Sequence, residues 1–242
     1  MDRALFAAAS GMAAQQRNLD TIADNLANAG VVGFKGSAQT FAALVAPGEG
    51  GLGTVALGPR LLFAQGKLAR SPGPFNMAIE GPGFFTVTDS AGRIRYTRDG
   101  QFSRAADGTL RNAADLRLAG VRIPAEALSL TVGSDGSVSA ALGPATRVIA
   151  HIRLAEFASP ERLRPLGGAL FEATREAGKP RQLVPGTENG PKLHFGMLEE
   201  SNVTIIDAMM QILTAQRAYE ANAKGVQAAD EMLRIANNLQ RG

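Results

Sequence analysis

The sequence contains no cysteine and no tryptophan, and its 242 residues include only two histidines. Without cysteine the chain can form no disulfide, no thiolate nucleophile and no sulfur-ligated metal site. It also lacks an uninterrupted apolar run of the roughly 18 residues that a membrane-spanning helix requires. These absences exclude several kinds of active site and predict a chain without a membrane span.

The few residues that could carry chemistry are isolated from one another. His151 and His194 lie far apart, and neither has a second potential ligand at a metal-binding spacing. Asp20 and Asp24 are four residues apart, which places two carboxylates on one helix face, but a solvated face opposite an apolar stripe explains them better. We therefore expect no catalytic residue, no cofactor and no metal, and we interpret the chain as a structural protein.

Glycine is abundant, with 28 residues, while 45% of the chain is hydrophobic and 5% aromatic, which indicates a globular chain with a turn-rich middle. Residues 48–53 match the glycine spacing of a dinucleotide-binding loop, but Gly58 and Pro59 would end the helix that such a loop needs, so a flexible linker is the better interpretation. The net charge of +3 comes from scattered Lys and Arg residues without a basic run, and we expect no nucleic-acid binding.

Heptad patterns occupy both ends of the chain. Residues 201–239 contain no proline and one glycine, and a helix of this length would extend about 58 Å. Such a helix needs a partner along its length, and the N-terminal heptads offer one, so we predict a coiled coil. The alternative is that each helix packs on its own domain. The predicted seam consists of Leu5, Met12, Leu19, Ile22, Leu26, Ile205, Met209, Ile212, Tyr219, Val226 and Leu233, with Ala208, Ala215, Ala229 and Ala236 beside it.

The middle of the chain has the pattern of short antiparallel strands. Residues 93–98 alternate apolar with polar side chains, and residues 89–92 before them have the composition of a turn. Further turns are predicted at Asp107-Gly108 and at Asp135-Gly136. The predicted fold class is therefore α+β, with long N- and C-terminal helices that pair as a coiled coil and an antiparallel β domain between them in the sequence. The predicted divisions are a helix and exit loop at 1–35, a glycine-rich linker at 36–65, the β domain at 66–191 with a second linker at 179–191, and a C-terminal helix at 192–242.

Three sequence motifs together carry a family resemblance. They are Asn25 to Lys35 with its Asn-Leu-Ala-Asn and Gly-Phe-Lys elements, Leu198 to Val203, and Ala215 to Glu220. With them the chain resembles the bacterial flagellar axial proteins, specifically the basal-body rod and hook group. Residues 78–85 and 96–102 are similar to the first β-hairpin region of that group, so the resemblance covers nearly the whole chain.

The resemblance implies a structural subunit of the flagellar rod, which self-assembles through its terminal helices into a helical tube and transmits torque from motor to hook. It implies homo-oligomerisation, contacts with other rod and hook subunits and with surrounding ring proteins, and passage through the type III export apparatus to the periplasmic rod without a cleaved signal peptide. Chain length, residues 215–220 and residues 229–233 look most like those of a distal rod subunit. The alternatives are a proximal rod subunit and an unrelated coiled-coil adaptor, while a periplasmic enzyme is disfavoured.

The segment after the first helix is the second candidate site. We expect Gly30 and Gly33 to adopt a positive φ or to approach a neighbour closely, and Phe34 to anchor the direction in which the chain leaves the helix. The predicted helix-exit loop consists of Asn25, Asn28, Gly30, Gly33, Phe34 and Lys35.

Overall fold

The computed structural model describes residues 2–46, 49–143, 145–188 and 190–239. The chain divides into two compact units, which we call the helix unit and the β unit. The helix unit comprises the described parts of residues 1–27, 37–60 and 203–242, and the β unit comprises those of 28–36 and 61–202. Each unit is therefore built from segments that are distant in the sequence.

The helix unit contains two long helices and one two-stranded sheet. Its elements are α1 (Asp2–Ala27), β1 (Ser37–Ala46), β2 (Glu49–Leu61) and α2 (Ile205–Leu239). Where the composition predicts a glycine-rich linker, the structure has β2 paired with β1. Glycine is used there for close approach: at Gly53 the φ is +119°, and an added Cβ would lie 2.2 Å from the Ser10 hydroxyl. Residues 47 and 48 of the predicted linker lie outside the described residues.

The second helix begins four residues later than the motif at Ser201 predicts. Its first helical residue is Ile205, because the Thr204 hydroxyl accepts a hydrogen bond from the Asp207 amide at 3.2 Å and so caps the helix. The first helix ends at Ala27, as the Asn and Gly residues that follow it predict. Neither described helix contains a stretch apolar enough to cross a membrane.

Small side chains let the two helices pack closely. Ile22, Ala208 and Ala215 form the buried cluster between them, and a Cβ added at Gly225 would lie 3.7 Å from the Ala8 Cβ. Half-buried Leu19 and other apolar residues surround this cluster. The helices therefore pack through alanine more than through large side chains.

The β unit is a set of antiparallel strands. Its bounds are β3 (Leu68–Arg70), β4 (Met77–Glu80), β5 (Phe84–Thr88), β6 (Ile94–Thr97), β7 (Ser103–Arg104), β8 (Thr109–Arg111), β9 (Arg117–Arg122), β10 (Ser129–Val132), β11 (Ser137–Leu142), β12 (Ala145–His151), β13 (Leu154–Glu156), β14 (Arg164–Gly167), β15 (Leu170–Glu172), β16 (Arg181–Leu183), β17 (Lys192–Phe195) and β18 (Met197–Glu199), with a 3₁₀ helix at Pro160–Arg162. The largest sheet has the order β14-β15-β6-β5-β9-β8-β7, and β13 joins it beside β5 and carries β16. The others are β10-β11-β12, β17-β4 and β18-β3.

Two differences from the predicted divisions lie in this unit. The second predicted linker contains β16, which pairs with β13, and Asn189 within that linker lies outside the described residues. The predicted C-terminal helical division begins with β17 and β18, which pair with β4 and β3. Strand β17 lies between Pro191 and Gly196, and β18 begins directly after Gly196, so the composition of this segment resembles that of a loop.

Three hairpin turns of the β unit share one construction. Asp89, Asp107 and Asp135 each accept, through a side-chain oxygen, the backbone N–H two residues later, at 2.9, 3.0 and 3.0 Å. In each turn a glycine with positive φ follows within three residues. This is the Asx-turn chemistry that the Asp and Gly residues of these segments predict.

The core of the β unit forms two clusters. The larger cluster contains Phe85, Val87 and Leu110 with residues from many of the other strands. The smaller cluster includes Phe84 and Tyr96. In the smaller cluster the Tyr96 and Phe157 rings meet edge to face with their centroids 4.8 Å apart. These two cores hold the ends of strands β4 to β6 in place, next to the segment that carries the Gly-Phe-Lys motif.

Candidate functional site

The predicted helix seam is divided by the structure into covered and exposed residues. Ile22 is buried, while Leu5, Met12, Leu19, Leu26, Ile212, Val226 and Leu233 are half-buried, and Ile205, Met209 and Tyr219 are exposed. On α2 the buried residues at heptad spacing are Ala208, Ala215 and Ala229. The buried positions of α2 are therefore the alanines predicted to lie beside the seam, and the first of them, Ala208, directly precedes the exposed Met209. The side chain of Ala236 lies outside those described.

The exposed part of α2 is strongly apolar. Ile206, Met210 and Leu213 follow one another at spacings of four and three, which places them on one helix face, and they are 73%, 63% and 56% exposed. Met210 also lines an open groove of about 570 Å³ between α1 and α2, together with Gln15 and Asn18. Contiguous exposed apolar surface of this kind is typical of protein interaction sites.

The residues of the helix-exit loop fall in both units. Asn25 belongs to the helix unit, where its side chain donates to the Ser37 carbonyl at 2.6 Å and accepts from the Ser37 amide at 2.8 Å. Asn28 belongs to the β unit, and its carbonyl accepts from the Val31 amide at 3.0 Å. Phe34 is half-buried in the β unit. The loop is thus an ordered segment with specific backbone contacts.

The two glycines of the loop behave differently. Gly33 has a φ of +67°, and an added Cβ would lie 2.4 Å from the backbone carbonyl carbon of Arg98. Gly30 is not in the positive-φ region, and a Cβ there would meet nothing within 4 Å. The expectation of a conformational constraint therefore applies to Gly33 and is wrong for Gly30.

Lys35 lies at the centre of a buried cluster of charges in the β unit. Its ammonium donates to Glu199 Oε1 at 2.6 Å and to the Ala64 carbonyl at 2.8 Å, and both charged side chains are fully buried. Arg98 donates to the other carboxylate oxygen, Oε2, at 3.2 Å. The Gly66 amide also donates to Glu199 Oε1, at 2.9 Å. One carboxylate thus holds two cations and one backbone amide.

The remaining contacts of Arg98 fix its guanidinium. Its terminal nitrogens donate to the carbonyls of Gly81 at 2.7 Å and Ile79 at 3.4 Å, and the guanidinium carbon lies 5.5 Å from the Phe84 ring centre. Among the described residues, Arg98 Nε is a buried polar atom without a hydrogen-bond partner. The cluster is therefore nearly complete in hydrogen bonds while it keeps one more positive than negative charge.

Burial dominates the electrostatics of this cluster. Loss of water lowers the pKa of Lys35 and the pKa of Arg98, and in both cases the charge of Glu199 opposes the effect. Burial also raises the pKa of the neighbouring Asp99 carboxyl, against a hydrogen bond from the Gln101 amide. The arrangement suits a fixed structural contact, because its charged groups are out of reach of solvent.

Sequence reasoning placed Lys35 in the loop but missed its partners. Arg98 and Glu199 stand within motifs that contribute to the family resemblance, so those motifs were the available signal. Of the histidines, His194 contacts Glu80 at 2.6 Å on the surface, and this contact lowers the pKa of that carboxyl. Among the described residues no group of three His, Asp or Glu side chains could hold a metal ion.

Comparison with known proteins relates these surfaces to a family. Residues 5–35 match the family description "Flagella basal body rod protein", residues 78–140 match "Flagellar hook protein FlgE/F/G D1 domain", and residues 196–239 match "Flagellar basal body rod FlgEFG protein C-terminal". The flagellar basal-body rod protein FlgG of Borreliella burgdorferi is 36% identical over the full length of both chains. The chain belongs to the flagellar basal-body rod protein family.

Other members of the rod family show similar agreement. FlgG of Agrobacterium fabrum is 34% identical over 97% of this chain and 98% of its own length, and the rod protein FlgF of Caulobacter vibrioides is 31% identical over 98% and 97%. The family is one of structural proteins of the flagellar basal body. Its three matched regions include Lys35, Arg98 and Glu199 respectively, so each region supplies one member of the buried cluster.

Proposed function

We propose that this protein is a structural subunit of the flagellar basal-body rod, that it self-assembles through its terminal helices into a helical tube, and that the tube transmits torque from the motor to the hook. The observation that carries this proposal is the 36% identity to a basal-body rod protein over the whole of both chains. Full-length similarity includes the helices and the β unit alike, so it supports the function of a whole subunit.

The helix unit supplies the assembly surface in this proposal. The heptad positions of α1 and α2 pair as a coiled coil, with Ala208, Ala215 and Ala229 on the buried side. The exposed stripe of Ile206, Met210 and Leu213 is then available for neighbouring subunits. Isolated, such a stripe stays in contact with water, and assembly removes it from water, which favours association by the hydrophobic effect.

A distal rod subunit is the member of the family that we favour. The relatives of 36% and 34% identity described above are FlgG proteins, which form the distal rod, and the FlgF relative is 31% identical. The partners in this proposal are further copies of the chain, other rod and hook subunits, the surrounding ring proteins and the export apparatus. Its location is the periplasmic rod of the basal body.

Electron microscopy of the purified protein over a range of concentrations tests the proposal. We expect regular tubes at high concentration for the unmodified chain and for Gln227→Asp, which places a charge at an exposed polar position of α2. Leu213→Asp places the same charge in the exposed apolar stripe, and we expect it to prevent tube formation while the monomer stays folded. Absence of tubes from the unmodified chain, or equal assembly of the two variants, would contradict the proposal.

A further inference from the structure

Two connecting segments of the β unit are bonded directly to each other. We call residues 28–36 the exit segment and residues 196–202 the return segment. The Gly33 amide donates to the Glu199 carbonyl at 2.7 Å, and the Asn202 amide donates to the Phe34 carbonyl at 3.4 Å. The Asn202 side chain accepts from the Gly36 amide at 2.8 Å. The segment that enters the unit and the segment that leaves it are therefore joined by specific hydrogen bonds at Gly33, Phe34 and Gly36.

The buried charges lie within this alignment. Lys35 comes from the exit segment and Glu199 from the return segment, while Arg98 directly follows β6, so the cluster joins three parts of the unit. Buried ion pairs add little stability, because desolvation of the charges offsets their attraction. Their best-attested use is to select one register or one partner among several that are similar in energy.

Sliding the exit segment by one residue would break two independent fits. Val32 or Phe34 would take the place of Gly33, where even one Cβ would lie 2.4 Å from the Arg98 backbone. Phe34 or Gly36 would take the place of Lys35 and leave the Glu199 carboxylate with Arg98 alone among its two cations. A shifted register is disfavoured because the position of Gly33 has no space for a Cβ. The native register is favoured because it pairs Lys35 with the Glu199 carboxylate.

We propose that Lys35, Arg98 and Glu199 are positioning residues that form a register lock between the exit segment and the return segment of the β unit. The lock determines which residues of the two segments face each other within the β unit. This role is separate from rod assembly and is tested on the monomer.

Replacing Lys35 by methionine distinguishes a role in selecting the register from a role in the overall stability of the β unit. Lys35→Met keeps the length of the side chain and leaves a complete Arg98–Glu199 pair, with no excess charge in the cluster. The Ala64 carbonyl keeps a second donor, the Asn202 side chain at 3.1 Å. We therefore expect the melting temperature of the β unit to change by no more than roughly 4 °C.

The expected effect of Lys35→Met appears in local hydrogen exchange. The amides of Gly33 and Gly36 should exchange about tenfold faster or more, because the segments lose the contact that selects one alignment. Amides in β5 and β6 should keep their protection. Lys67→Met is the matched control, since Lys67 is an exposed lysine in the same unit, and it should leave every one of these amides unchanged.

Glu199→Gln provides the second measurement. It leaves two buried cations without a countercharge, and we expect the melting temperature to fall by roughly 6–20 °C. Unchanged exchange at Gly33 and Gly36 in Lys35→Met would overturn the register lock. So would a melting temperature for Lys35→Met as low as that of Glu199→Gln with faster exchange throughout the unit, because the cluster would then serve stability alone.

Discussion

At the scale of single residues, Gly33 has the tightest steric requirement of the exit segment. Its φ of +67° is unfavourable for residues with a Cβ, and the space that a Cβ needs is occupied by the Arg98 backbone. Gly30, three residues earlier in the same segment, has open space around it. Alanine substitutions at Gly33 and Gly30 can therefore be compared, with Gly30 as the control.

We predict that Gly33→Ala lowers the free energy of unfolding of the β unit by about 2–4 kcal/mol, while Gly30→Ala changes it by less than about 0.5 kcal/mol. Urea unfolding can be followed by tyrosine fluorescence. The chain has two tyrosines, so in a Tyr219→Phe background the buried Tyr96 reports on the β unit alone. Equal stability of the two alanine variants would show that the exit segment tolerates a side chain at Gly33.

A second prediction concerns the pH dependence of the turn at Asp107. Hydrogen bonds from the Thr109 side chain and amide, and then from Arg111, hold the pKa of the Asp107 carboxyl far below its ordinary value. A group whose pKa is lower in the folded state stabilises the fold above its unfolded pKa, near 3.9, and this contribution is lost as the pH falls through the folded pKa.

Asp107→Asn should therefore melt below the unmodified protein at pH 7, and the difference should shrink steadily as the pH is lowered from about 4 toward 2. Thermal melts in a pH series give the comparison. Glu126→Gln is a suitable control, because Glu126 is an exposed acid of the same unit. A gap between Asp107→Asn and the unmodified protein that stayed constant with pH would mean that the carboxylate charge is not what stabilises the turn.

At the scale of elements, α2 packs one face against α1 and leaves another face exposed to solvent. Ala215 is 3% exposed at their contact, while Tyr219, one turn later, is 38% exposed. A charge at the first position enters the contact between α1 and α2, and a charge at the second remains largely in water. The same substitution should therefore have different consequences at the two positions.

We predict that Ala215→Asp lowers the stability of the helix unit by roughly 3 kcal/mol or more, since it buries an unpaired carboxylate. Tyr219→Asp should leave the helix content of the dilute monomer unchanged and should act on assembly only. Far-ultraviolet circular dichroism during thermal unfolding, combined with electron microscopy of concentrated protein, separates the effects. If Tyr219→Asp also melted the helices of the monomer, Tyr219 would belong to the contact within the subunit.

Local patterns in the sequence predict both helices and several strands and turns of the β unit, but only part of the pairing between elements. The helical pattern of α1 and α2 and the turns at Asp89, Asp107 and Asp135 depend on residues a few positions apart, and the structure has both helices and all three turns. Strand β2 was missed because glycine weakens the strand pattern, and here Gly53 allows a close approach to α1. The partners of Lys35 were missed because nothing in a single sequence relates a lysine to an acid 164 residues later.

At the scale of the whole molecule, the two units have cores of different size. The β unit buries two apolar clusters with several phenylalanines, whereas the cluster between the helices contains Ile22 and two alanines as its buried members. Apolar burial is the main source of stability, so the helix unit should open at a lower free energy than the β unit.

We predict that in a dilute monomer the amides of α2 exchange with solvent hydrogen well before those of β5 and β6. Hydrogen exchange followed by mass spectrometry on fragments resolves the two units. The measurement should be repeated on assembled protein, where the exposed stripe of α2 is covered and its amides should gain protection. Strong protection throughout α2 in a proven monomer would contradict the prediction.

The long separation between Lys35 and Glu199 also determines when the β unit can be completed during synthesis. The acid is 164 residues downstream of the lysine, and a ribosome adds about 5–20 residues per second, so it is made roughly 8–33 s after the lysine. Until then Lys35 and Arg98 have no carboxylate to neutralise them, and the exit segment has no return segment to bind. The exit segment of the nascent chain therefore makes its native contacts only after the return segment has been synthesised.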